Sequence, residues 1–385
     1  MAGTVNATGV GGGGGGGGGV TGPGSTGVPL EQAAIRPQPA RAPARWIVWR
    51  HERGTAGIGS DMSAMYWGGH ALAGLRRAQQ RRGMSTSLQI GIDLGGTKME
   101  AVALDQSGTI LARQRVPTPR RYDDTVATIA SLVHGLEHGL GRTGTVGVGI
   151  PGTIVRETGL VKNANSVWLI GRPLAADLEA ALARPVRIEN DANCFALSEA
   201  TDGAAAGAPV VFGVIMGTGV GGGIVIDGQC LTGRNQIAGE WGHNPLPWPQ
   251  HGEVHGPPCY CGKSGCIETW IAGPGVVADH TRVTGAVLSA EAIMSAAALG
   301  EPAAVATRTR LVQRAARSLA TVVNLLDPDV IVLGGGLSNT NGLAADLERE
   351  VAPWVFSDTV RTRIVRNRHG DASGVRGAAW LWPTT

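Results

Sequence analysis

Short apolar runs separated by turn residues begin near position 88 and continue to the end of the chain. Such runs, bounded by glycine, proline or asparagine, are typical of β-strands, and longer stretches with apolar residues every three or four positions are typical of helices. The first three runs follow one another closely and predict a three-stranded meander. The predicted strands are residues 89–93, 99–104, 109–116, 146–150, 186–188, 210–216, 224–226 and 330–333, and the predicted helices are residues 123–140, 194–200, 290–299, 303–326 and 374–382.

These strands and helices alternate in two blocks, and each block opens on a glycine-rich turn. Because such alternation is typical of α/β proteins, the order predicts two α/β lobes. We expect an N-terminal lobe at residues 84–205 and a C-terminal lobe at residues 206–373. A final helix, at about residues 374–385, is expected to pack back on the first lobe.

Residues 1–83 have a different texture, with an uninterrupted glycine run at 11–19 and several prolines after it. Such a stretch cannot bury enough apolar surface to offset its ordering entropy, so we predict that it is disordered apart from a short arginine-rich helix at 71–82. It is compatible with a nucleic-acid or membrane arm, with an organelle transit peptide, or with an upstream extension that leaves Met84 as the working start. Composition favours the extension.

The overall composition is that of a globular protein, with 43% hydrophobic and 16% charged residues. Residues 1–83 hold nine arginines, no lysine and three acids, a net charge of +6, so the chain's +3 leaves −3 for residues 84–385. A mildly acidic body does not favour nucleic acid as a partner. We also expect no membrane span, since no stretch approaches the roughly 18 apolar residues that one needs. A secretory signal is not evident, and we predict a reducing cytoplasm with Cys194 and Cys230 as buried thiols.

Two glycine-rich hairpins are candidates for phosphate binding. The first, at residues 93–98, follows a strand, and its glycines allow backbone amides to approach an anion. Lys98 can offset phosphate charge, and Asp93 can orient a magnesium ion or its water. A hairpin that merely needs positive φ would also select glycine. The candidate residues of this turn are Asp93, Gly95, Gly96, Thr97 and Lys98.

The second hairpin spans residues 216–223 and again lies between two strands, so one phosphate loop per lobe is expected. A strand follows each loop where a dinucleotide-binding fold requires a helix, and neither loop has the pattern of P-loop enzymes. The turn after strand 330–333 suits a nucleoside, although a plain strand-to-helix turn explains it nearly as well. The candidates are Gly217, Thr218 and Gly219 in the hairpin, and Gly334, Gly335 and Gly336 in the turn.

Asp191 is a candidate general base, because strand 186–188 delivers it to a C-terminal strand end where the next helix begins. The alternative is a helix N-cap. Residues 162–166 offer the amides of Asn163 and Asn165, which can bind hydroxyl groups. Ordinary turn chemistry accounts for these two residues as well.

A metal site is predicted in the second lobe, where His243, Cys259, Cys261 and Cys266 form a Cys₃His set. This composition is expected of a closed, structural zinc site. Glu240 and Glu268 stand just outside its two ends, so the metal could fix both acids for a polar ligand. Incidental disulfides or free thiols are the alternative. The combination of hairpins, base and acids indicates phosphoryl transfer from a nucleotide to a polyhydroxylated acceptor.

Together these motifs resemble the ROK family of sugar kinases, within the actin-like and hexokinase-like ATPase fold. The resemblance spans about residues 88–382 and rests on residues 93–98, 147–152, 189–193, 217–223, 240–243 and 259–268. It implies two lobes with a cleft between them, a small zinc-binding loop at residues 240–268, ATP and Mg²⁺, Asp191 as the base and structural Zn²⁺ on the Cys₃His set. The sugar contacts that it implies are Asn165, Asn190, Asp191, Glu240, His243 and Glu268.

Within the family, residues 163–169 and 240–248 are most similar to the bacterial fructokinase or mannokinase branch. We therefore expect a cytoplasmic fructokinase that phosphorylates the 6-hydroxyl of fructose, with mannose as a second substrate. The alternatives are an N-acetylglucosamine kinase or glucokinase of the same family. A sugar-responsive repressor would require a helix-turn-helix, which the glycine and proline of residues 1–83 do not favour. We expect a hexose and ATP as ligands, no nucleic-acid or membrane partner, and a homodimer.

Overall fold

The computed structural model describes residues 88–383, so the predicted extension and its arginine-rich helix lie outside the described residues. The strands are β1 Leu88–Leu94, β2 Lys98–Leu104, β3 Ile110–Pro117, β4 Gly144–Ile150, β5 Thr153–Ile154, β6 Val161–Lys162, β7 Val186–Asn190, β8 Val210–Met216, β9 Val220–Ile226, β10 Gln229–Cys230, β11 Val330–Gly334 and β12 Arg363–Arg366. The helices are α1 Tyr122–Leu140, α2 Leu174–Leu182, α3 Asp191–Thr201, α4 Glu268–Ile271, α5 Gly273–Thr284, α6 Ala290–Ala298, α7 Pro302–Leu326, α8 Leu343–Val351 and α9 Ser373–Ala379.

The first sheet has the strand order β3-β2-β1-β4-β7. Its first three strands pair antiparallel, which confirms the predicted meander, and β4 and β7 join in parallel. Strand β1 is buried along almost its whole length, as expected of a central strand that is covered on both faces. The core on this sheet includes Ile90, Val148 and, from α1, Ile129.

The second sheet repeats this arrangement with the order β10-β9-β8-β11-β12. Its central hairpin, β8–β9, is antiparallel, and β11 and β12 follow in parallel. The long helix α7 covers it with the buried side chains of Leu311, Ala315 and Leu319. The described chain therefore contains two α/β units of the same strand topology, in agreement with the predicted fold class.

Helices α3 and α9 pack against each other between the sheets. Helix α9 lies on β1 and β4, and α3 lies on β8 and β9. The close approach of α9 requires a residue without a side chain in β4, because a Cβ at Gly147 would collide with the carbonyl oxygen of Ala378. The final helix ends at Ala379, three residues before the predicted end at 382.

Three predicted boundaries in the middle of the chain are wrong. Strand β7 ends at Asn190 and not at 188. Helix α3 begins at Asp191 and not at 194, because the side chain of Asn190 caps it one residue earlier. Strand β9 begins at Val220, so residues 221–223 belong to the strand and the hairpin loop is only residues 217–219. Glycines fit this strand since a Cβ at Gly223 would collide with the carbonyl oxygen of Ala192 in α3. None of the helices in the described part of the chain is long and apolar enough to cross a membrane.

Candidate active site

The first glycine-rich turn joins β1 to β2 through residues 95–97. Thr118, the residue after β3, holds this turn. Its hydroxyl donates to the carbonyl oxygen of Gly95 at 2.7 Å, and its amide donates to that of Thr97 at 3.0 Å. The side chain of Lys98 is exposed and available to an anion. Burial, together with the charge of Asp191, raises the pKa of Asp93 to about 7. The last residues of β1 therefore bring Asp93 close to the candidate base.

Asp191 occupies the first position of α3, where its Oδ1 accepts a hydrogen bond from the amide of Ala192 at 2.8 Å. The N-cap is Asn190, whose Oδ1 accepts from the amides of Ala192 at 2.9 Å and Asn193 at 3.4 Å. The alternative role of Asp191 as the helix cap is thus taken by its neighbour. Burial raises the pKa of Asp191 to about 6, and the charge of Glu240 adds to this effect.

The candidate amides meet at one turn after β4. The Nδ2 of Asn190 donates to the carbonyl oxygen of Gly152 at 3.3 Å, and the backbone amide of Asn165 donates to that of Pro151 at 3.0 Å. Asn163 has a positive φ of 54°, which turns the chain so that Asn165 is exposed. Since both ends of the Asn190 amide are engaged within the protein, Asn165 is the freer of these two candidates for a sugar hydroxyl.

The second hairpin is tied to one of the two predicted acids. The Oε2 of Glu268 accepts a hydrogen bond from the amide of Val220 at 2.8 Å, at the start of β9. A Cβ at Gly219 would lie 2.5 Å from the same oxygen, so the hairpin approaches the carboxylate too closely for a side chain. The amide of Gly273 donates to the carbonyl oxygen of Gly217 at 2.8 Å and holds the other side of the loop. The loop and Glu268 are therefore held together by direct contacts.

The four predicted zinc ligands come together. One ligand atom from each of His243, Cys259, Cys261 and Cys266 lies within 4.8 Å of all the others. The Nδ1 of His243 is 3.6 Å from the Sγ of Cys259, and the sulfurs of Cys261 and Cys266 are also 3.6 Å apart. Such spacings fit the edges of a tetrahedron built on zinc bonds of about 2.0 to 2.3 Å. All five cysteines of the described residues are free, which disagrees with incidental disulfides and leaves free thiols as the alternative to a metal site.

The orientation of the His243 ring decides which of its nitrogens faces the metal site and which stays free. Because Nδ1 faces the sulfurs, a metal on Nδ1 fixes the ring proton on Nε2. Nε2 lies 3.0 Å from the hydroxyl of Tyr260, whose ring packs edge-on against the imidazole with centroids 5.1 Å apart. Partial burial and then the charges of Glu268 and Glu240 raise the pKa of Tyr260 to about 12. Sequence reasoning missed Tyr260, although its position between two ligand cysteines is a signal for it.

A cleft of about 1000 Å³ opens beside the second hairpin. Three predicted residues line it: Gly217, Thr218 and Gly336. Gly335 lies next to them, close to the backbone of Met216 at the end of β8. The remaining walls come mainly from α6, the start of α7 and the turn after β11, with Glu291, Met294, Ser295, Arg308, Thr309, Leu337, Asn339 and Asn341 among them. Sequence reasoning missed these walls, because no motif marks residues of these helices.

A family model described as the ROK family matches residues 89–385. The chain belongs to the ROK family. The match covers all six motifs that carried the resemblance.

ROK relatives of known structure share this fold. A ROK hexokinase from Thermus thermophilus is 31% identical with a TM-score of 0.69, over 76% of this chain and 97% of its own. A ROK glucokinase from Streptomyces griseus, solved in complex with glucose and AMPPNP, is 30% identical with a TM-score of 0.64, over 77% of this chain and 99% of its own.

Relatives that are more similar in sequence carry a narrower name. The N-acetyl-D-glucosamine kinase of Vibrio parahaemolyticus is 41% identical over 297 residues, which cover 76% of this chain and 98% of the relative. The N-acetyl-D-glucosamine kinase of Photobacterium profundum is 43% identical over 297 residues and the same shares of the two chains. These names agree with the alternative expectation better than with fructokinase.

Proposed function

We propose that this ROK protein is an ATP-dependent sugar kinase that phosphorylates the 6-hydroxyl of N-acetylglucosamine. The observation that carries the proposal is the 41% identity to an N-acetyl-D-glucosamine kinase over 98% of that relative's length. The 297 aligned residues are about as many as the two lobes contain together. Fructose, which the similarity of residues 163–169 to fructokinases favours, is the competing substrate.

The proposed reaction begins with the sugar hydroxyl beside Asp191. The hydroxyl oxygen attacks the γ-phosphorus of ATP while its proton passes to the carboxylate of Asp191. The bond between the γ-phosphorus and the bridging oxygen breaks, and ADP leaves with the electron pair. A carboxylate with a pKa of about 6 is ionised at neutral pH and still basic enough to accept this proton.

The acceptor sugar is proposed to lie between Asp191 and the zinc loop. Its hydroxyls would be bound by Asn165, Glu240 and Glu268, and by the Nε2–H of His243 once it exchanges Tyr260 for a sugar hydroxyl. Asn190 supports Asp191 as the helix cap and contributes less directly to sugar binding, since its amide is already engaged.

The nucleotide is proposed to bind in the cleft beside the second hairpin. Gly217, Thr218 and Gly219 would meet its phosphates, and Gly335 and Gly336 would face the nucleoside. Gly334, also expected there from the sequence, is instead buried at the end of β11 against the ring of Phe195. Residues 95–98 would approach the terminal phosphates from the first lobe. The Streptomyces glucokinase, which binds AMPPNP, supports ATP as the donor through its matching fold.

Two metals fit the residues present. Asp93, near the end of β1 beside the first glycine-rich turn, would orient Mg²⁺ or its water, because this cation prefers carboxylate oxygens. When bound with ATP, Mg²⁺ would neutralise charge on the phosphates. Zinc would be structural, because its four ligands come from the protein and leave no open position for substrate.

The test is identification of the product. Incubation of the protein with ATP, Mg²⁺ and N-acetylglucosamine, followed by ³¹P and ¹H NMR, is expected to give ADP and a sugar phosphorylated on O6. The Asp191→Asn variant is expected to lose about 10²- to 10⁴-fold in kcat, because the general base is gone. Absence of a phosphorylated sugar from the wild-type reaction would contradict the proposed function, and undiminished turnover by the variant would contradict the role of Asp191.

A further inference from the structure

Two buried arginines hold the middle of the segment that connects the zinc ligands. This segment, residues 244–258, joins the histidine of the Cys₃His set to its first cysteine. Arg314 and Arg317 lie on successive turns of α7 and are 3% and 1% exposed, and Glu253 of the segment is 8% exposed. Three charged groups buried this deeply form a specific contact, since a buried charge is costly unless it is paired.

The pairing uses both oxygens of the carboxylate. The Nε of Arg314 lies 2.8 Å from Oε1 of Glu253, and the Nη2 of Arg317 lies 2.8 Å from Oε2. Oε2 also accepts the amide of Gln250 at 2.8 Å. The Nη1 of Arg317 donates to the carbonyl oxygen of Trp248 at 2.6 Å. The arginines therefore bind the segment at two points, the side chain of Glu253 and the backbone carbonyl of Trp248.

The two ends of the segment are fixed in a different way. Leu246 donates its amide to the carbonyl oxygen of Gly265 at 2.9 Å, and Gly265 donates its own to that of Pro257 at 2.8 Å. These bonds connect the ends of the segment to residues around the last zinc cysteine. They close the zinc loop on itself, whereas the arginines connect it to the body of the lobe.

Arg314 also supports the helix that carries one of the sugar-binding candidates. Its guanidinium lies over the ring of Trp270, 4.5 Å from the centroid, and Trp270 is two residues beyond Glu268 in α4. Its Nη1 lies 3.0 Å from Oδ1 of Asp279 in α5, an acid that Arg282 and Arg310 also contact. One side chain thus contacts both the zinc loop and the scaffold of Glu268.

We infer that Arg314 and Arg317, acting through Glu253, are positioning residues that orient His243 and Glu268 toward the sugar. The inference rests on the proposed kinase function. A buried ion pair is weak support for stability alone, because apolar replacements of similar volume are often as stable. Its geometric effect is specific: it sets the distance between the zinc loop and α7, and with it the place of the two groups that meet the sugar.

The experiment compares two double variants of the full-length, zinc-loaded protein. Glu253→Gln with Arg317→Met removes one acid and one base together, so Arg314 stays paired with Asp279 and no lone charge is buried. The matched control is Glu137→Gln with Arg184→Met, a partly buried pair of the first lobe with 2.7 Å between Nη1 and Oε1. The measurements are kcat, the KM values for N-acetylglucosamine and ATP, the melting temperature, and the rate of zinc release to a chelator.

For the zinc-loop variant we expect a KM for the sugar about tenfold higher, the size of one lost hydrogen bond to a charged group. Its KM for ATP should stay within about twofold of the wild type, and zinc release should be faster because the loop is less restrained. The control is expected to have a lower melting temperature than the wild type, with kcat and both KM values unchanged. A sugar KM and a zinc release rate both equal to those of the wild type would show that the pair serves stability only and would overturn the inference.

Two further outcomes are decisive. If the zinc-loop variant does not fold, the Arg317→Lys variant replaces it, because lysine keeps the charge but cannot make both contacts of Arg317. Its KM for the sugar is expected to rise by less than that of the double variant. A sugar KM equal to that of the wild type would overturn the inference. If the wild type fails to phosphorylate N-acetylglucosamine, the proposed function falls. The zinc release rates need no substrate, and equal rates in variant and wild type would then overturn the inference by themselves.

Discussion

The carboxyl group of Asp191 stands at the first turn of α3, one residue after the cap. Burial and the charge of Glu240 move its pKa to about 6, because both disfavour the ionised form. A general base is most effective when its pKa lies near the working pH. The raised pKa therefore agrees with the proposed role of Asp191 as general base, while its neighbour Asn190 caps the helix.

The activity should follow the ionisation of Asp191. Since the base must be deprotonated to accept the hydroxyl proton, kcat/KM for the sugar at saturating ATP is expected to fall about tenfold per pH unit below a pKa of about 6. Glu240→Gln removes a charge that raises this pKa, so its acid limb should move to lower pH. Initial rates between pH 4.5 and 8.5 measure both profiles. An acid limb near 4 in the wild type, or one that Glu240→Gln leaves in place, would speak against the assignment.

The positions of single residues were predictable from the sequence where those positions depend on residues nearby in the chain. Asp191 follows a strand, and the zinc ligands are close together in the sequence. Contacts over long sequence distances were not predictable. Arg317 reaches Glu253 across 64 positions, and no local pattern signals a pair of that kind.

The zinc loop is the element that carries the most chemistry in the second lobe. Its backbone closes through short bonds around Gly265, and its ligand atoms converge within 4.8 Å. Because one loop carries His243 and continues directly into Glu268, a bound metal would fix both flanks of the sugar site. We therefore expect metal binding and sugar binding to be coupled in this element.

Loss of one zinc ligand should affect both properties. Cys259→Ser is expected to lose most of the bound zinc, to melt at lower temperature, and to raise the KM for the sugar about tenfold or more, the size of one or two weakened hydrogen bonds. Cys230→Ser is the matched control, because that thiol lies outside the metal cluster and donates to the carbonyl oxygen of Asn193 at 3.6 Å. Metal analysis, thermal melting and steady-state kinetics report the result. An unchanged sugar KM in zinc-free Cys259→Ser would show that the metal does not contribute to sugar binding and would contradict this prediction.

Elements with a strong local pattern were predicted well, and others were missed for identifiable reasons. Strand β8 and helix α7 have long apolar patterns and agree with the prediction within a residue. The glycines of β9 suggested a longer loop because glycine also marks turns, while here they make room for α3. Helices α2, α5 and α8 were missed: α2 and α8 have only nine residues each, and α5 opens on Gly-Pro-Gly, which is typical of a turn.

At the scale of the whole molecule, the sequence predicted the fold class and the family better than the substrate. Two glycine hairpins, one per lobe, correspond to the repeated topology of the two sheets. The choice among hexoses depends on the shape of a cavity formed by several loops, and a few similar residues at 163–169 are a poor guide to that shape. Those residues favoured fructose, whereas the 41% and 43% identity to two N-acetyl-D-glucosamine kinases favours N-acetylglucosamine.

The specificity constant for each sugar tests the proposed function most directly. An assay that couples ADP release to NADH oxidation gives kcat/KM for N-acetylglucosamine, fructose, mannose and glucose with the same enzyme preparation. N-acetylglucosamine is expected to exceed each of the other sugars by at least about tenfold, a difference of about 1.4 kcal/mol in transition-state binding. A kcat/KM for fructose equal to or above that for N-acetylglucosamine would contradict the proposed substrate.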